Sequence, residues 1–225
     1  TPVSDRYFEF GERGLLNNEA SQCAHAIARA MEWDAQVPTS GTACDNCRWH
    51  GESIILIYDW CHDYLTPAQR KTLSTSIGSW VDHWRAQTDW GGPGAHADNY
   101  YWGYLRNQIE WAIAAYEDDP ARAERLLDDA FTVRLANDFY PSVVNGDSKG
   151  GVGHQGTEYG PYIQYYMAVP LASAYLLGRD LFTETGFWRE TVYWNLYSMA
   201  PDVTHGSGSG QNADMGFTFF PFSDD

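Results

Sequence analysis

Thr66-Pro67 is followed by Leu73, Ile77, Trp80 and Trp84, apolar residues at three- and four-residue spacing. Threonine at a helix N-cap accepts a hydrogen bond from first-turn amides, and proline at the first helical position gives up an N–H that has no partner there. The pair starts a helix that the apolar stripe carries to about Gln87. Asp119-Pro120 repeats the signature and starts a helix running to about Phe139. Helical spacing also marks residues 19–33, with Ile27 and Met31 on one face, residues 52–65, with Ile54, Ile55, Ile57, Tyr58 and Cys61, and residues 98–117, with Ile109, Ala112, Ile113 and Tyr116. A sixth helix is expected over 157–178, kinked near Pro170, and a seventh over 184–199. Strand-like alternation is scarce, so the expected fold class is all-α. The short 117–120 connection implies an antiparallel helix pair. Such pairs in series suggest an incomplete (α/α) toroid or barrel, with a globular bundle as the simpler alternative.

The 225 residues suit one sizeable domain over 1–225. The tail from Pro201 is rich in Gly and Ser and then turns aromatic at Phe217, Phe219, Phe220 and Phe222, which reads as the start of a further segment. The chain begins Thr1-Pro2 without Met, as a mature or trimmed product would. A formal net charge of -16 argues against nucleic acid as a partner, because phosphate binding needs a basic face. No run of about 18 apolar residues occurs, so no membrane span is expected. Cys23, Cys44, Cys47 and Cys61 fit two disulfides in a secreted or periplasmic protein. A structural zinc held by Cys44 and Cys47 with a ligand such as His50, a calcium ion, or free thiols are the alternatives. Otherwise no cofactor is expected.

Two glycine-rich loops run into apolar helices and carry the chemistry. The first is Gly91-Gly92-Pro93-Gly94-Ala95-His96-Ala97-Asp98-Asn99, followed by Tyr100, Tyr101 and Trp102. The second is Gly150-Gly151-Val152-Gly153-His154-Gln155-Gly156-Thr157-Glu158-Tyr159, followed by Gly160, Pro161 and Tyr162. Each puts polar side chains at a helix N-terminus, where unpaired backbone N–H groups favour negative charge. Asp98 or Asn99 can cap the first helix and Thr157 the second. Asn99, Gly103, Arg106 and Glu110 share one helix face, which reads as a polar cleft wall. Tyr165 or Tyr166 reads as part of a core stripe.

Gln155-Gly156-Thr157-Glu158-Tyr159-Gly160-Pro161-Tyr162 resembles the Glu-Gly-(Pro/Ser)-x-Tyr-x-x-Tyr segment of α/α-toroid polysaccharide lyases of the alginate lyase and heparinase II/III type. His96-Ala97-Asp98-Asn99 resembles their upstream His/Asn segment, and Phe219-Phe220-Pro221-Phe222-Ser223-Asp224 their Pro-Phe-Gly-Asp segment. The likeness spans roughly residues 90–225. Gln155 stands where acidic residues are common and Ser223 where glycine is common. The resemblance implies a toroid truncated before a C-terminal β-sandwich, and β-elimination on an anionic, uronic-acid-containing polysaccharide.

The residue types suit that chemistry. The C5 proton of a uronate is weakly acidic until its carboxylate is neutralised, the task given to His96 and Asn99. Tyr159 then acts as base and as acid to the leaving oxygen; a tyrosine needs nearby positive charge or donors to lower a pKa of about 10. His154 is a candidate base or orienting residue. Arg106, Gln108, Tyr101, Trp102 and Tyr162 are candidate substrate-binding residues, and His205, in a glycine-rich loop, is placed to close over the site. The alternatives are a glycoside hydrolase using Asp98 and Glu158 as its two carboxylates, and a non-catalytic glycan-binding module.

Overall fold

A computed structural model describes residues 20–41 and 43–198; the side chains of Thr157 and Glu158, His205 and the 217–225 tail lie outside the described parts. Every regular element among the described residues is helical. Helix α1 spans Ala20–Asp34, α2 Asp45–Trp60, α3 Pro67–Arg85 and α4 Asn99–Ala114. Helix α5 (Pro120–Asp128) runs directly into a π-helical stretch, Asp129–Phe139, and then into α6, Tyr140–Asn145. The second glycine-rich segment yields a short α7, Gly156–Tyr159, followed by α8 (Tyr162–Leu176) and α9 (Phe187–Ser198).

Thr66 caps α3 as its sequence requires. Its hydroxyl accepts from the Gln69 N–H, while the Gln69 side chain accepts from the Thr66 N–H at 2.9 Å. Asp119 and Asp98 cap α5 and α4 through the N–H groups of Arg122 and Tyr100. Two expectations change. Helix α2 begins seven residues earlier than 52, because Cys44 is its N-cap and the Cys44–Cys47 pair is its first turn rather than a loop. The helix expected over 157–178 is interrupted at Gly160-Pro161, and α8 runs through Pro170, which is buried.

Helix α4 organises the molecule. It packs against α2, α3, α5, the π-helical stretch and α8. Tyr104, Trp111 and Ala112 face one apolar core, shared with α1, α2 and α3. Tyr101, Trp102, Leu105 and Ile109 face a second, shared with the π-helical stretch, α8 and α9. A helix enclosed on all sides must pair its polar groups internally. Helices α2 and α4 approach closely enough that each needs a glycine: a Cβ on Gly51 would meet the Asn107 amide at 2.5 Å, and one on Gly103 would meet Arg48 Cγ at 2.8 Å.

Disulfides join Cys23 to Cys61 and Cys44 to Cys47, leaving no free cysteine. The zinc alternative at Cys44 and Cys47 therefore loses its thiolates, and His50 instead stacks on Trp33 with ring centroids 5.3 Å apart. No helix of the described residues is long and apolar enough to cross a membrane.

Candidate functional site

The two glycine-rich segments meet. Gln155 Oε1 accepts from both the backbone N–H and the side-chain amide of Asn99, each at 2.8 Å. The compact turn behind Gln155 depends on glycine: a Cβ on Gly160 would lie 2.1 Å from the Gly156 carbonyl oxygen, and one on Gly153 would lie 2.8 Å from Gly160 Cα. Beside this junction opens a groove of about 440 Å³. Asp98, Asn99 and Tyr100 contribute from the start of α4, and Gln155 and Tyr159 from the second segment. Arg48 enters from α2 and the exposed Trp90 from the loop before α4.

Arg48 is the cation of this groove. Its guanidinium donates to the Asn99 side-chain oxygen and pairs with Asp45 at 2.8 Å. It lies 4.1 Å from the Tyr100 ring centroid and 4.6 Å from that of Trp49. Asp98 caps α4, so the Asn99 amide is released from capping and used toward Arg48 and Gln155. Burial raises the Asp98 carboxyl above its usual range, opposed by the Tyr100 N–H and by Arg48. Trp90 and Tyr100, with centroids 5.5 Å apart, give the groove an aromatic wall. Tyr162 lies beyond Tyr159, 5.7 Å from it, and packs edge-on against Trp49.

His96 and His154 form a separate cluster. Their rings are 5.7 Å apart and neither lines the groove. His96 Nδ1 is 2.8 Å from Asp138, on the π-helical stretch, and Asp138 also accepts from the Gly94 N–H at 2.7 Å. His154 Nε2 is 2.5 Å from Ser148 Oγ. Burial lowers the His154 pKa below the usual histidine value; Asp147 opposes this and His96 adds to it.

Four expected substrate contacts are core residues instead. Arg106, Gln108, Tyr101 and Trp102 have no exposed surface. Arg106 donates to the Arg48 carbonyl at 2.6 Å and pairs with Glu52 at 3.3 Å. Gln108 donates to the Leu126 carbonyl and to Asp129. Tyr101 donates to the Arg134 carbonyl, and Trp102 to the His96 carbonyl. The polar face of α4 is thus an interhelical network facing α2, and only its first residue, Asn99, reaches the groove. His205 and the Glu158 side chain lie outside the described residues.

A smaller cavity of about 290 Å³ lies between α3 and α5. Its charged groups are committed elsewhere: Arg122 to Asp82 and the Gly78 carbonyl, and Asp118 to Tyr58. It offers less chemistry than the groove. Comparison with protein-family models, curated proteins and solved structures finds no match to this chain.

Proposed function

We propose that the groove binds a uronic-acid residue of an anionic polysaccharide and cleaves the chain by β-elimination, on a scaffold that is part of an (α/α) toroid. The observation that carries the reading is the meeting of Arg48, Asn99 and Gln155 with Tyr159 in one groove. A β-elimination site needs these parts: a cation and amides for the carboxylate, and beside them a phenol for proton transfer. Arg48 and the Asn99 amide bind and neutralise the uronate carboxylate, which makes the C5 proton removable. Tyr159 takes that proton and returns one to the leaving glycosidic oxygen, leaving a C4–C5 double bond. Trp90 and Tyr100 stack on neighbouring sugar rings. Relative to the expectation from sequence, Arg48 takes the neutralising role first given to His96. Arg48, shared with Asp45, is the cation that an anionic substrate would meet in the groove of a chain of net charge -16. The two disulfides suit export to an oxidising compartment.

Asp98 keeps a hydrolase as the second reading, since it lines the groove and burial favours its protonated form. Incubation with a panel of uronate polymers separates the two. Elimination yields unsaturated ends with the absorbance of a conjugated alkene, whereas hydrolysis yields new reducing ends without it. Reducing ends alone would overturn the lyase reading.

A further inference from the structure

The cluster beside the groove has a hydrogen-bond polarity that the elimination chemistry does not use. Asp138 Oδ1 accepts the Nδ1–H of His96, at 2.8 Å, which leaves His96 Nε2 as a lone pair. The second histidine is oriented by a relay. Ser142 has one hydroxyl proton, and the Phe139 carbonyl, 2.7 Å away, can only accept it. Ser142 must therefore accept from Ser148, 3.0 Å away, and Ser148 in turn accepts the Nε2–H of His154 at 2.5 Å. This leaves His154 Nδ1 as a lone pair. Both lone pairs face the same carboxylate: His96 Nε2 is 3.8 Å from Asp147 Oδ1, and His154 Nδ1 is 3.5 Å from Asp147 Oδ2.

In this tautomer arrangement two imidazole lone pairs and a carboxylate converge, with one ligand atom of each residue within 4.8 Å of the others. A cation at their centre, whether a proton on one ring or a metal ion, relieves the repulsion between them. In a tetrahedral site with metal–ligand bonds of about 2.0–2.1 Å, ligand atoms stand about 3.3 Å apart. The two histidine–Asp147 separations, 3.8 and 3.5 Å, already stand close to that spacing, and binding draws the two histidines together. The remote ring nitrogens are held by a carboxylate and a hydroxyl, the outer-shell pattern that orients metal-bound histidines.

We propose that His96, His154 and Asp147 form a zinc-type divalent metal site, with Asp138 and Ser148 as positioning residues. Two imidazoles favour zinc or a similar transition ion over calcium or magnesium, which prefer oxygen ligands. Three protein ligands leave a fourth position for water. The ion would tie the 146–155 loop to the loop before α4 and to the π-helical stretch that carries Asp138. The site stands apart from the lyase reading, and its test reads binding rather than turnover.

The experiment titrates Zn²⁺ alone into chelator-treated protein by calorimetry and repeats the titration on Asp147→Asn and His154→Gln. Asp147 is exposed, so its substitution leaves the fold intact. The expected result is one tight equivalent for the wild type, weakened about 10–100-fold or more in each variant. A hundredfold excess of Zn²⁺ over its Kd should raise the wild-type Tm by about 5–10 °C. Co²⁺ should give the wild type a d–d absorption band of low-symmetry coordination that His154→Gln lacks. Equal Zn²⁺ affinity for the wild type and both variants, or a Co²⁺ spectrum unchanged by His154→Gln, would overturn the site.

Discussion

Gln155 and Asn99 are joined by two hydrogen bonds of 2.8 Å, both accepted by one Gln155 oxygen. Residues 56 positions apart are thereby fixed against each other at the floor of the groove. Removing the acceptor leaves a backbone N–H and an amide of a buried residue without a partner. Gln155→Ala should lower stability by about 1–3 kcal/mol. Gln155→Glu retains an acceptor in the same place and should recover most of that loss. Urea unfolding of the two variants checks the ordering, and equal loss in both would remove the hydrogen bonds as its cause.

Arg48 binds Asn99 and Asp45 through a planar fork and stacks on two aromatic rings. Lysine keeps the charge but cannot fork or stack in the same way. For Arg48→Lys the expected outcome is a tenfold or larger fall in kcat/KM on a uronate polymer, about 1.4 kcal/mol or more. Steady-state kinetics on the wild type and the variant measure it. Unchanged kcat/KM would show that Arg48 does not meet the substrate.

The Cys23–Cys61 bridge spans 38 residues and ties α1 to the end of α2. Constraint of the unfolded chain by a loop of that size contributes about 3–4 kcal/mol. The Cys44–Cys47 bridge closes a much smaller loop, with a separation of 3, and contributes less. Denaturation of the two paired Cys→Ala variants should rank them in that order.

Glu110 is buried, and its carboxyl is held well above the ordinary glutamate value of 4.5 by desolvation and by Glu52, with Arg106 opposing. The folded state therefore keeps a proton that the unfolded chain releases. This contribution to stability is fully present below about pH 4.5 and is lost as pH rises through the folded-state pKa. Glu110→Gln has no such proton to lose. Its stability relative to the wild type should rise between pH 4.5 and pH 8, as read from denaturant midpoints across that range. A constant difference would contradict a raised Glu110.

Helix positions were legible in the sequence because caps and periodicity are local. Thr66-Pro67 and Asp119-Pro120 start helices where their chemistry demands. The early start of α2 was missed because Cys44-Asp45-Asn46-Cys47 has loop-like composition, although Cys44 serves as the cap. Arg48, one turn into that helix, was missed with it. Pro161 and Pro170 are equal as local signals, and what places the break after Tyr159, the crowding of Gly153, Gly156 and Gly160, is visible only in three dimensions. Arg106 aligns with a polar cleft wall and Gln108 stands near it as a candidate substrate contact, but a helix-face argument shows which residues align and not what they face. Here they face α2 and the α5–π junction. The pairing of His96 with Asp138 and of His154 with Asp147 is long-range or loop-borne, and spacing along the chain carries no trace of it.

In the proposed elimination Tyr159 moves the proton. The most direct test compares the wild type with Tyr159→Phe on a uronate polymer that the wild type cleaves, following alkene absorbance for turnover and calorimetry for binding. Tyr159→Phe should lower kcat by about 10²–10⁴-fold while polymer affinity is retained. Full formation of unsaturated ends by Tyr159→Phe would contradict it.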